Sequence, residues 1–117
     1  MNQEELKVRT KKYALKIIKL VDNLPGSKIG NVIGNQILRS ATSVGANYRS
    51  ACRGRSKAEF ISKLNIVLEE IDECLYWLEL IEESELLKKE KLVELIGETR
   101  ELIAIFFSTL KTLRNKS

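Results

Sequence analysis

The chain of 117 residues contains no histidine. That absence removes His-based general base catalysis, Ser-His and Cys-His nucleophile pairs, and the Glu-x-x-His ligands of di-iron bundles. Cysteine is nearly absent as well: Cys52 and Cys74 stand alone without C-x-x-C spacing, and read as reduced structural thiols at helical, partly apolar positions. The sequence has neither a G-x-x-x-x-G-K-[ST] phosphate loop nor a dinucleotide fingerprint. An enzyme is therefore not expected, and no metal or cofactor is implied. It also lacks a run of about 18 apolar residues, the length needed to span a bilayer. Its first residues, M-N-Q-E-E-L-K-V-R, lack the apolar core of a secretion signal. The expectation is a cytoplasmic protein without membrane contact. One proline and six glycines leave few places for turns, so the elements between them should be long and helical.

The most localised absence is of acid. From Asn23 to Ala58 there is no Asp or Glu, while six basic residues occur. Residues 1–22 carry six basic against three acidic side chains, and residues 59–117 carry eight against thirteen. A basic first half and an acidic second half can attract each other within a bundle, between subunits, or leave the basic part for a separate polyanion.

Periodicity predicts one domain over residues 1–117, with helices over about 4–23, 28–53, 57–84 and 88–114. Leu6, Tyr13, Ile17, Leu20 and Leu24 recur at helical spacing until Leu24-Pro25-Gly26 ends the first segment. Ser27 can cap the second helix, and Gly54 stops it. Ser56-Lys57-Ala58-Glu59 has the capping-box pattern, a serine followed three residues later by a glutamate. Phe60, Leu64, Val67, Ile71, Cys74, Leu78 and Ile81 then alternate steps of four and three, as a bundle seam requires. Leu92, Leu95, Thr99, Leu102, Phe106, Leu110 and Leu113 repeat that pattern after a short connection near Ser84 to Lys88. Short connections make neighbours antiparallel, so the expected fold is an all-α, up-down-up-down four-helix bundle.

On a helical wheel at about 100° per residue, Ile33, Ile37, Val44 and Ala51 form the core face of the second helix. Lys28, Arg39, Arg49 and Arg53 fall within about 80° of one another on the opposite side. This basic stripe has three readings: polyanion contact, pairing with the acidic third helix of another subunit, or plain solvation. Gln36, Ser40, Ser43 and Asn47 run along the edge of the core, where polar groups need partners on a neighbouring helix. They are expected to fix packing register, with a direct ligand role as the alternative. Gly30, Gly34, Ala41, Gly45 and Cys52 lie on another flank, suited to close approach of a neighbouring helix. On the third helix, Glu69, Glu70, Asp72, Glu73, Glu79, Glu82 and Glu83 read as an acidic solvated or subunit-facing surface, since histidine ligands are missing. Tyr48, Tyr76, Trp77 and Phe107 sit off or beside the heptad seams. A lone bundle would expose part of their rings, so they are candidates for a self-association interface.

The string N-Q-I-L-R-S-A-T-S-V-G-A-N-Y-R-S-A-C-R-G-R-S-K-A-E-F, followed by L-x-I-V-L-E-E-I-D-E and W-L-E-L, resembles the bacterial four helix bundle protein family. That family includes proteins encoded in intervening sequences of 23S ribosomal RNA genes. Gln36, Arg39, Ala41, Ser43, Val44, Ala46 and Asn47 match its Q-x-x-R-x-A-x-S-V-x-A-N pattern, and Ser56, Lys57, Glu59 and Phe60 match its S-K-x-E-F. Where many members carry a glutamate soon after the asparagine, this chain has Ser50 and Ala51, so that residue's role is not carried over. The resemblance implies a pentamer of antiparallel bundles and supplies no catalytic residue. It extends in fold to the accessory variability determinant of diversity-generating retroelements, which assists a reverse transcriptase and binds nucleic acid through basic surfaces. By that likeness Arg39, Arg49 and Arg53 become candidate phosphate contacts, with Lys28 and Arg55 beside them in the acid-free window.

The expectation is thus a non-enzymatic homo-oligomer that binds RNA or DNA through basic helix faces, with a reverse transcriptase or other protein as a further partner. The alternative is a structural or adaptor protein whose basic helix makes subunit or protein-partner contacts.

Overall fold

The computed structural model describes residues 1–116; the last position of the expected domain, Ser117, lies outside them. Four helices follow in order: α1 Gln3–Asp22, α2 Lys28–Cys52, α3 Lys57–Glu83 and α4 Val93–Asn115, with a single 3₁₀ turn at Lys89–Lys91 before α4. No strand occurs among the described residues. The helices form an antiparallel bundle about a single seam of apolar side chains, a rod of 47 × 20 × 20 Å.

Each of the first three helices starts at a side-chain cap. Asn2 Oδ1 accepts the Glu5 N–H at 2.8 Å, Ser27 Oγ that of Gly30 at 3.0 Å, and Ser56 Oγ that of Glu59 at 3.1 Å. These bonds satisfy donors that the helix itself leaves open. At Ser56 the box is completed one residue early, because Glu59 Oε2 accepts the N–H of Arg55 at 2.6 Å. The turn before α2 is tight enough that a Cβ at Gly30 would run into the Pro25 carbonyl oxygen. Glycine is required there to let the α1–α2 link close over the start of the helix.

The fourth helix differs from expectation, beginning at Val93 and not near 88. Lys88–Lys91 offers no capping side chain, and Leu92 at the helix start has none either. The chain instead turns in 3₁₀ fashion, with the N–H groups of Lys91 and Leu92 bonded to the carbonyls of Lys88 and Lys89. That turn delivers Leu92 into the core, where it is fully buried. Before it, α3 ends with Glu85 in the left-handed region at φ 59°. The N–H groups of Leu86 and Glu85 bond back to Ile81 and Glu82, the two bonds of a Schellman closure.

Consecutive helices are neighbours, and α2 against α3 is the most extensive pairing. Side chains join α4 back to α1. Tyr13 Oη lies 2.7 Å from Thr99 Oγ1, both buried, and Arg9 grips both oxygens of Glu98 at 2.7 and 2.6 Å. The small-residue flank of α2 faces α1, with Gly34 against Leu24 and Val21 and Gly45 against Thr10. Cys74 is buried beside Tyr13, and burial pushes its thiol up to about 12. Such a thiol stays protonated and unreactive at neutral pH.

Tyr48, expected beside the seam with an exposed ring, is only 3% exposed. It stacks at 5.5 Å and 46° on Phe106 of α4. The physical reason is spacing: Val44, Tyr48 and Ala51 continue the core stripe by steps of four and three. Tyr48 is therefore a core residue and not an interface ring.

Candidate nucleic-acid interface

The carboxylate-free second helix does not present one uniform basic stripe. Its cations divide into three groups, separated by position along the rod and by what faces them.

Arg39 turns toward α3. Its Nη1 donates to Glu70 Oε2 at 3.1 Å, and its Nη2 donates to Glu73 Oε1. The same Glu73 oxygen lies 2.9 Å from Ser40 Oγ and accepts the Trp77 indole N–H at 3.1 Å. Burial, the largest single influence on Glu73, would raise its carboxyl. The bonds from Trp77, Ser40 and Arg39 outweigh it and hold the group below the ordinary carboxylate range. The Glu73 bond is likewise the main reason the Arg39 guanidinium is held above its usual range. Arg39 is thus part of an α2–α3 clamp within one chain, its charge met by two carboxylates.

The register edge is divided in the same way. Ser40 is buried and reaches across to α3, as a register-fixing residue should. Asn47 donates to the Ser43 carbonyl of its own helix at 2.9 Å, so its amide does not bridge helices. Gln36 and Ser43 lie half-buried along the same line. Of the four, only Ser40 makes the expected cross-helix bond among the described residues.

Lys28 is exposed at the start of α2. At about 1.5 Å per residue, some 37 Å of helix separates it from Arg53. The remaining candidates, Arg49, Arg53 and Arg55, cluster where α2 turns into α3. The turn brings up Lys57 and Lys63 from the first two turns of α3, two cations that the sequence reading had not placed in the site. The signal was present: from Arg49 to Lys63 there are five basic residues and one acid, Glu59. Arg49, Arg53, Arg55 and Lys57 are exposed and Lys63 is half-buried. Among the described residues none of the five enters an ion pair. Glu59 is drawn onto the Arg55 backbone by the cap. Here the rod has a basic tip, where five cations outnumber Glu59, whose Oε2 is already bonded to backbone, and a phosphate backbone would be attracted.

Of the remaining aromatic candidates, Tyr76 and Phe107 are 54% and 60% exposed. Trp77 is half-buried, its indole edge against Tyr76 at 5.2 Å. Val8, Leu15 and Ile18, which lie along the outer face of α1, are also exposed. No helix among the described residues is long and apolar enough to cross a membrane, and they contain no group of three or more metal-ligating side chains.

A family model described as 23S rRNA-intervening sequence protein matches residues 4–108. A crystal structure of a protein of unknown function from the S23 ribosomal protein family of Bacteroides thetaiotaomicron is similar throughout. The likeness has a TM-score of 0.87 at 36% sequence identity, covering 95% of this chain and 99% of that one. No curated protein matches the chain.

Proposed function

The chain belongs to the 23S rRNA-intervening sequence protein family, and from that premise we propose that it is a non-enzymatic, cytoplasmic, homopentameric bundle that binds nucleic acid. The observation that carries the nucleic-acid reading is the unpaired basic tip at the α2–α3 turn. Cations without carboxylate partners attract phosphates, and binding of this kind tolerates sequence and weakens with salt. Self-association is supported by exposed apolar side chains on unlike faces: Val8, Leu15 and Ile18 on α1, and Tyr76 and Phe107 on α3 and α4. Unlike faces suit a heterologous contact, which closes into a ring when the rotation allows. Repetition of the tip around such a ring would strengthen a weak site through avidity.

Titration of fluorescently labelled single-stranded RNA at low and high salt tests the binding. The expected result is binding at low salt that is lost at high salt and weakened by about a hundredfold in Arg53→Glu/Arg55→Glu. RNA binding absent at low salt, or unchanged in that variant, contradicts it. Light scattering tests the assembly, with a mass near five chains expected and a monomer mass contradicting it. If the double variant instead dissociates the oligomer, the basic tip serves subunit contact, as in the adaptor reading.

A further inference from the structure

The basic tip carries an open hollow. Ser50 and Arg53 from the end of α2, Gly54 and Arg55 from the turn, and Glu59, Ser62 and Lys63 from α3 line a recess of about 290 Å³. Such a space admits a phosphoryl group with part of its sugar and is too small for a folded partner. Its chemistry is specific. Three basic residues, Arg53, Arg55 and Lys63, line it from two helices and their connection, as do two hydroxyl residues, Ser50 and Ser62. Glu59 supplies the only negative charge, and its Oε2 is held by the Arg55 N–H at 2.6 Å.

Charge arithmetic decides between two kinds of phosphate. Three cations less one carboxylate leave a formal charge of two in the hollow. An internal phosphodiester carries a single charge and is best met by cations spaced along the strand. A phosphate monoester carries about −1.5 to −2 at neutral pH and has three strong acceptor oxygens, matching the net charge of the recess and the donors among its lining residues. Arginine suits this geometry further, because its planar fork can hold two phosphate oxygens at once. The tip also lies at the end of a rod only 20 Å across, where a strand terminus can enter without the rest of the strand having to bend round the protein.

We infer that the hollow formed by Ser50, Arg53, Arg55, Ser62 and Lys63 is a receptor for a phosphate monoester, which under the nucleic-acid reading on which this rests is the terminal phosphate of a strand. The tip then recognises ends, and the cations outside the hollow, Arg49 and Lys57, hold the adjoining backbone.

The test uses the full-length protein and one labelled single-stranded RNA sequence in three forms: 5′-phosphate, 3′-phosphate, and hydroxyl at both ends. Binding is followed by fluorescence anisotropy at low salt. At least one phosphate-ended form should bind about tenfold more tightly than the hydroxyl form, and the form preferred reports which end enters. Arg55→Gln/Lys63→Gln should weaken every form but erase that preference, the phosphate-ended form losing about tenfold more affinity than the hydroxyl form, whose residual salt-sensitive binding rests on Arg49 and Lys57. All five side chains are at least partly exposed, and an unchanged helical circular dichroism spectrum identifies a folded variant. Should that variant not fold, inorganic phosphate added to the wild type replaces it, and should displace the phosphate-ended RNA at lower concentration than sodium chloride of equal ionic strength. Equal affinity for all three forms overturns the inference and leaves the nucleic-acid reading intact. A preference that survives the double substitution also overturns the assignment to this hollow. Failure of every form to bind overturns both.

Discussion

Arg39 and Arg53 stand on the same outer side of the same helix, yet the bundle gives them opposite roles. Arg39 lies mid-helix, on the edge that faces α3, where Glu70 and Glu73 meet its guanidinium. Arg53 lies fourteen residues on, at the turn, where it enters no ion pair among the described residues and Glu59, which lines the same recess, is already bonded to backbone. The lesson is that an acid-free stretch need not be a positive surface. Its cations are neutralised where an acidic neighbour packs beside them and remain available where the neighbour has run out.

Charge reversal at each place should separate the two arginines most strongly. Arg53→Glu/Arg55→Glu should weaken RNA binding at low salt by about a hundredfold, since two phosphate contacts become repulsive. Its melting temperature should stay close to wild type, as for other exposed substitutions. Arg39→Glu should do the converse. Three carboxylates would then crowd one α2–α3 junction, lowering the melting temperature and altering Trp77 fluorescence, while RNA affinity changes by less than about threefold. Equal loss of RNA binding in both variants would erase the distinction.

Acid offers a gentler probe of the same clamp. The Glu73 carboxyl is held below its ordinary value of 4.5 in the folded chain. A group lowered in this way contributes stability that is present above 4.5 and lost as pH falls from there through the lower folded value. The urea midpoint should therefore decline with acidification in that window, and decline less in Glu73→Gln. An identical decline in the two proteins would remove Glu73 from the account.

The smallest expected effect serves as a control lying outside both regions. Glu85 occupies a left-handed position with an ordinary side chain. Glycine adopts that conformation without strain, so Glu85→Gly should raise stability by about 1 kcal/mol, read by denaturant unfolding, with RNA binding unchanged. A destabilised variant would mean that the side chain contributes more than its backbone strain costs.

Much of the fold was legible because it is periodic. Leu64 to Ile81 mark their seam at every step, and Ser56 and Glu59 announce the start of α3. The beginning of α4 was not legible, because Leu92 is drawn into the core by a turn that no capping residue signals. Tyr48 was misplaced because it was read as lying off or beside the seam, although its spacing from Val44 and Ala51 puts it on the core stripe. The site was legible in composition and not in arrangement. A wheel shows that Lys28, Arg39 and Arg53 share a side, but axial distance separates the first and the rotation of α3 neutralises the second. The contribution of Lys57 and Lys63 depends on the direction of the turn, which charge counting along one helix does not contain.

The most direct measurement of the central claim is the salt dependence of RNA binding in Arg39→Gln beside Arg53→Gln/Arg55→Gln. Single-stranded nucleic acid loses about 0.7 in log–log slope for each phosphate contact removed. The slope should be shallower by about 1.4 in the double variant and equal to that of the wild type in Arg39→Gln. A slope that falls in Arg39→Gln and holds in the double variant would contradict that claim.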